Sequence, residues 1–288
     1  MLDGGLATSL ENKGFDLSGR LWSAQYLLDN PEVIRDVHRE HAAAGADIVT
    51  SSSYQVSKSG FAAAGYSEND YFRALELSLL IAQSAADEIS YQEKRDIQVA
   101  ASIGPYGATL ADGSEYRGDY RVSPDFLLEF HGQRLHDITE FEPDLLAFET
   151  IPSIEEIRVI NQLLTNDFRH LDAWVSCSAK SGDAISDGSL YSDVMAELNA
   201  PNIIAKGVNC TKPEYVESLI KSSSAPAIVY PNSGRTWDAA NRQWLDIGSE
   251  TFPDDVVQSW ITSGAVIIGG CCGLETNHIA HVKMMVNA

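Results

Sequence analysis

Ile203-Ile204-Ala205-Lys206-Gly207-Val208-Asn209-Cys210 is apolar for most of its length and ends on an amide and a thiol. A short, nearly continuous apolar run of this kind reads as a strand buried on both faces of a parallel sheet. Similar runs precede it at residues 47–50, 97–102, 144–149 and 173–177, and follow it at 227–230 and 265–269. Amphipathic segments with helix-start signals lie between them. Asn30-Pro31-Glu32, Ser123-Pro124-Asp125 and Lys212-Pro213-Glu214 place proline at a first helical position, and Thr276-Asn277 opens another helix. Ser153-Ile154-Glu155-Glu156 has the spacing of a capping box. Alternating strands and helices predict a parallel α/β fold.

Seven strands are counted, and Met1-Leu2, before the Asp3-Gly4-Gly5 turn, supplies the tail of an eighth. Eight βα units in a 288-residue chain predict a single-domain (β/α)8 TIM barrel over residues 1–288, its first strand shortened. A doubly wound open sheet is the rival. No linker divides the chain. Residues 104–120 form a long polar loop, a length that is often functional.

Composition narrows the function. Hydrophobic residues make up 44% and charged residues 21%, which excludes a disordered chain. Twenty Lys and Arg against 41 Asp and Glu give a formal charge of −21. That field repels phosphate, so neither nucleic acid nor an anionic membrane is expected as a partner. No apolar run is long enough to span a bilayer, and the N-terminus has no signal-peptide pattern, so the chain reads as cytoplasmic.

Polar residues collect just after the strands, where a barrel builds its active site. Among them are three of the four cysteines: Cys210 in Gly207-Val208-Asn209-Cys210, and Cys271 and Cys272 in Gly269-Gly270-Cys271-Cys272-Gly273. Three thiolates and one open position make a catalytic type of Zn2+ site. The alternative is buried core cysteine. Both vicinal thiols reach one ion only if the backbone kinks, and Gly269, Gly270 and Gly273 allow that. Cys177, mid-strand, reads as core. An all-thiolate zinc is suited to holding a substrate thiolate at neutral pH, where a free thiol with a pKa of about 8.5 is mostly protonated.

Eight motifs in order then resemble the homocysteine S-methyltransferase family. They are Leu2-Asp3-Gly4-Gly5, Leu21-Trp22-Ser23-Ala24, Thr50 to Gln55, Ser102-Ile103-Gly104-Pro105, Phe148-Glu149-Thr150-Ile151-Pro152, Gly207 to Cys210, Tyr230-Pro231-Asn232-Ser233-Gly234 and Gly269 to Cys272. Asp112 to Tyr120 is similar to the branch that uses S-methylmethionine. The resemblance implies a zinc-dependent (β/α)8 barrel in which Cys210, Cys271 and Cys272 hold Zn2+ and homocysteine sulfur fills the fourth position.

It further implies that Asp3 and Glu149 hold the homocysteine ammonium; a helix cap and a strand-end ion pair are the plainer readings. Gly4 and Gly270 let backbone approach the amino acid. Thr50 and Tyr54 line the sulfur site or pack. Trp22 walls the donor pocket, where an onium group can rest on its face. Asn232 orients substrate or caps a turn, and Asn209 orients Cys210. The expected reaction is methyl transfer from S-methylmethionine, or S-adenosylmethionine, to homocysteine, in a monomer or small homo-oligomer. Gly273 stands where S-methylmethionine-using relatives often have Arg, which keeps betaine open as donor. A zinc hydrolase would need His or carboxylate ligands, and the seven histidines lie away from the strand ends. A non-catalytic zinc- or thiol-binding protein is a further alternative.

Overall fold

The apolar runs become parallel strands. They are β1 (Ile48–Thr50), β2 (Gln98–Ile103), β3 (Leu145–Ile151), β4 (Ala173–Cys177), β5 (Ile203–Asn209) and β6 (Ala227–Tyr230). After a two-residue antiparallel pair, β7 (Trp237–Asp238) and β8 (Gln243–Trp244), the sheet ends with β9 (Ala265–Ile268). The computed structural model describes residues 1–224, 226–234, 237–238, 243–244 and 248–286.

The sheet order is β1-β2-β3-β4-β5-β6-β9, every pair parallel. The order never reverses, so the doubly wound alternative is excluded. The result is one α/β domain with seven parallel strands in a half-barrel. The expected eighth strand is not formed as a strand. Only three residues precede the Gly4-Gly5 turn, and they make a single parallel bridge, Leu2 to Ile48. The Leu2 N–H also donates to the Ile268 carbonyl at 2.9 Å, so residue 2 touches both edge strands.

Both faces of the sheet are apolar, as a parallel sheet requires. Leu2, Ile48, Ala100, Leu145, Ala147, Trp174, Ala205 and Ile228 pack together on the inner face. Their chain neighbours Val49, Val99, Leu146, Val175 and Val229 point outward under the helices. At Gly207 an ideal Cβ would stand 1.8 Å from the Ile228 carbonyl oxygen, inside backbone that a flexible side chain cannot vacate. Gly207→Ala should therefore lower stability by about 2–4 kcal/mol through forced separation of β5 and β6. An unchanged denaturation midpoint would contradict that close approach.

Helix starts follow the local signals. Ser123 and Ser153 accept N–H bonds from Phe126 and Glu156 at the heads of helices Pro124–Thr139 and Ile154–Asn166. The capping box at Ser153 is only half made, because the Glu156 side chain turns inward instead. A 26-residue helix, Glu68–Glu93, carries a complete box from Ser67 and Asp70 that the sequence reading did not single out. The 104–120 loop contains a short helix, Tyr106–Leu110, and a 3-10 turn, Ser114–Tyr116. No helix among the described residues is long and apolar enough to cross a membrane.

Candidate active site

A cavity of about 430 Å3 opens at the C-terminal ends of the strands. All three candidate thiols face it. Cys210 leaves β5 in a left-handed conformation, φ 46°, with its N–H bonded to the Tyr230 carbonyl. Cys271 and Cys272 leave β9, tied to the loop after β6 by Cys271 N–H to Pro231 O and Ser233 N–H to Cys272 O, both 2.9 Å. Of the three glycines expected to bend this segment, Gly273 does so, at φ 83°. Gly269 instead permits close packing, since a Cβ there would strike Leu2 at 2.7 Å.

Cys210 Sγ lies 3.6 Å from Cys272 Sγ, and Cys271 Sγ lies 4.0 Å from Cys272 Sγ. The three atoms are within 4.8 Å of one another. With Zn–S bonds of about 2.3 Å at tetrahedral angles, sulfur atoms stand about 3.8 Å apart, so the set fits one tetrahedral ion with a fourth position left over. The thiols also share their protons unevenly. Hydrogen bonds from Cys271, then Cys272, hold Cys210 well below the usual thiol range, and the thiolate so favoured pushes Cys271 and Cys272 up. Only a cation would let all three be thiolates together. Cys177 is fully buried in the core.

Asp3 is buried, and its carboxylate accepts the Thr50 N–H at 2.7 Å and the Thr50 hydroxyl at 3.0 Å. It caps no helix: Leu6–Asn12 starts at Gly5 without a side-chain cap. Glu149, on β3, accepts the Ser102 hydroxyl and has no ion-pair partner among the described residues. Burial pushes Asp3 up to about 8, with Glu149 adding to it, and pushes Glu149 up to about 7. Neither carboxylate has an ion-pair partner within 4 Å among the described residues, and both would be better ionised beside a cationic ligand.

The remaining expected residues divide. Thr50 lines the cavity and gives its hydroxyl to Asp3, so it holds that carboxylate in place. Trp22 and Tyr54 line the cavity edge to face, 6.1 Å between ring centroids. Asn209 accepts the Thr150 N–H at 2.6 Å and donates to its hydroxyl at 2.8 Å, which locks Thr150 at φ 62° beside Cys210. Gly4 and Gly270 line the cavity, and a side chain on either would collide with Leu274. Asn232 does not line it; its Oδ1 accepts the Gly234 N–H and closes a turn.

The sequence reading missed Glu115 and Tyr116, although it quoted their loop. Tyr116 Oη stands 3.1 Å from Cys210 Sγ, and Glu115 lines the cavity. Burial pushes Glu115 up to about 7. The loop is held at both ends by the inward-turned, buried Glu156, which receives the Tyr106 N–H at 2.7 Å and the Tyr120 hydroxyl, with His131 Nε2 2.7 Å away. The buried Arg134 guanidinium donates to the Gly104 and Ser53 carbonyls beneath the same loop. Its length was the available signal; its inward side chains were not.

Fold and site together define an enzyme of one class: three thiols suited to a metal ion and a paired carboxylate receptor, gathered at the strand ends of a parallel α/β sheet. The chain belongs to the homocysteine S-methyltransferase family, whose profile matches residues 1–286. It is 44% identical to homocysteine S-methyltransferase YbgG of Bacillus subtilis, over 98% of this chain and 92% of that protein. It is 41% identical to homocysteine S-methyltransferase 1 of Arabidopsis thaliana, over 94% and 88% of the two chains. Its structure resembles the metallated form of the homocysteine methyltransferase MmuM from Escherichia coli, with a TM-score of 0.87 and 36% identity over 98% and 94% of the two chains.

Proposed function

We propose that this chain transfers a methyl group from an amino-acid sulfonium, S-methylmethionine or S-adenosylmethionine, to homocysteine, giving methionine. One observation carries the reading: three thiols and the buried carboxylates of Asp3 and Glu149 share one cavity. Cys210, Cys271 and Cys272 would hold Zn2+, which when bound keeps the homocysteine sulfur ionised near neutral pH. Asp3 and Glu149 bind the homocysteine ammonium and fix the direction of its side chain. Thr50 and Ser102 hold those carboxylates in place. Trp22 and Tyr54 offer aromatic surface to the sulfonium and exclude water from it.

The thiolate lone pair forms a new C–S bond to the methyl carbon as the donor C–S bond breaks, its electrons staying on the donor sulfur. A sulfonium and a thiolate become two neutral thioethers. No proton moves in this step, so positioning carries the catalysis. The same reading takes residues 1–3 as the remnant first strand of a (β/α)8 barrel, since Leu2 touches both sheet edges. The hydrolase alternative loses support, because no histidine lines the cavity among the described residues. The test is methionine formation from homocysteine offered with S-methylmethionine, S-adenosylmethionine or betaine in parallel. Methionine from betaine alone, or from none of the three, would overturn the proposal.

A further inference from the structure

Glu115 stands apart from every other acid in the cavity. Of the buried carboxylate oxygens among the described residues, only Glu115 Oε2 has no hydrogen-bond partner. An unpaired buried carboxylate oxygen is costly to keep, so one that lines a ligand cavity points to a cationic or hydrogen-donating ligand. Its position is fixed rather than incidental. The Glu115 carbonyl accepts the Ser178 hydroxyl at 3.0 Å, and Gly107 packs against the Glu115 N–H so closely that a Cβ there would stand 2.8 Å from it. Glu156 pins both ends of the loop.

Glu115 reaches the cavity from the 104–120 loop, whereas Glu149 reaches it from β3 and Asp3 from the turn before the first helix. Tyr116, next to Glu115 in the chain, touches Cys210 Sγ. The loop thus brings Glu115 to the cavity beside the thiols, and with Asp3 and Glu149 assigned to the homocysteine ammonium it is the buried acid left for the second substrate.

We propose that Glu115 binds the α-ammonium group of the methyl donor and thereby selects amino-acid sulfoniums over donors without an amino group. This rests on the methyl-transfer reading above. The choice of ammonium over sulfonium follows from the reaction. The sulfonium charge vanishes as the methyl leaves, so a carboxylate against it would hold the ground state more tightly than the transition state and slow the reaction. The ammonium charge persists throughout, and binding it costs nothing in the barrier. Betaine carries its only cationic centre on the atom that gives up the methyl, and so has no group for Glu115 to hold.

The experiment compares two donors on two enzymes. S-Methylmethionine and its des-amino analogue, (3-carboxypropyl)dimethylsulfonium, are offered to the zinc-loaded wild type and to Glu115→Gln with homocysteine saturating. Loss of one charge-assisted contact should raise the KM for S-methylmethionine about 10- to 100-fold with little change in kcat. The ratio of the two donors' KM values should fall toward one in the variant, and Glu115→Asp should recover part of the preference. Homocysteine binding, followed by quenching of Trp fluorescence, reports that each variant is folded. An equal rise in KM for both donors, or an unchanged S-methylmethionine KM, would overturn the assignment. Wild type inactive with every donor would instead overturn the underlying methyl-transfer reading.

Discussion

Cys210→Ser should lose both metal and activity, with kcat/KM falling about 1,000-fold or more. Two effects combine. A homocysteine thiol left without a coordinating ion is only a few per cent ionised at pH 7. It also loses the anchor that places it in line with the methyl carbon, and effective molarity is among the largest contributions available to such a reaction. Cys177, the one remaining cysteine, is buried in the core and does not line the cavity, so it cannot take the vacated place. Metal content measured on the same preparation separates the causes. A variant that retains one equivalent of zinc and near-normal turnover would show that these thiols are not the metal site. Cys177→Ser is the control, since Cys177 lies in the core away from the cavity.

Asp3→Asn and Glu149→Gln should each raise the KM for homocysteine about 10- to 100-fold, the worth of one charge-assisted contact. Both carboxyls are pushed up by burial, Asp3 to about 8 and Glu149 to about 7. Homocysteine affinity should therefore weaken as pH falls through 8 and then 7, because the acids must be ionised to receive an ammonium. Stability moves the other way. For a carboxyl whose folded pKa exceeds its unfolded value, the folded state binds more protons in between, so stability is highest below about 4 and is lost as pH rises toward 8. Ligand-free Asp3→Asn should thus melt above wild type at pH 8.5, and the gap should close as pH falls to 4. A wild type whose melting temperature, without ligand, rises between pH 5 and 8.5 relative to the variant would contradict the burial of Asp3. Activity and stability are opposed at this one residue.

Much of this architecture is legible in the chain because its signals are local. The seven apolar runs each become a strand within a residue or two, since a parallel strand buried on both faces has no other composition to choose. Cys210, Cys271 and Cys272 are readable because they sit at strand ends, where side chains converge whatever the loops do, whereas Asp3 and Glu149 were singled out by the family resemblance, their residue types alone favouring a helix cap and an ion pair. The rest depends on contacts distant in sequence. Glu156 has capping spacing, yet it is drawn inward by Tyr106, Tyr120 and His131, three partners 25 to 50 residues away. Asn232 closes its own turn, a competition between local and substrate contacts that residue type cannot decide. Glu115 and Tyr116 lie in a loop with no period, so nothing local says which of its nine quoted residues turn inward. The left-handed backbone at Trp22, Thr150 and Cys210 has no glycine to announce it.

The contact of residue 2 with both sheet edges also decides where ligand binding is felt. Leu2 N–H bonds to Ile268, Gly270 N–H bonds to the Asp3 carbonyl, and the next residue after Gly270 is a candidate metal ligand. The proposed ammonium receptor, the thiols and the seam of the sheet are thus three consecutive links of one short chain of bonds. Opening the seam dismantles the binding site, and filling the site holds the seam shut. Homocysteine at a hundred times its Kd would add about 2.7 kcal/mol to the cost of that opening. In amide hydrogen exchange the slowing should concentrate at Leu2 and Gly270, at the join of the sheet, and be weak at the outer helices that the ligand never approaches.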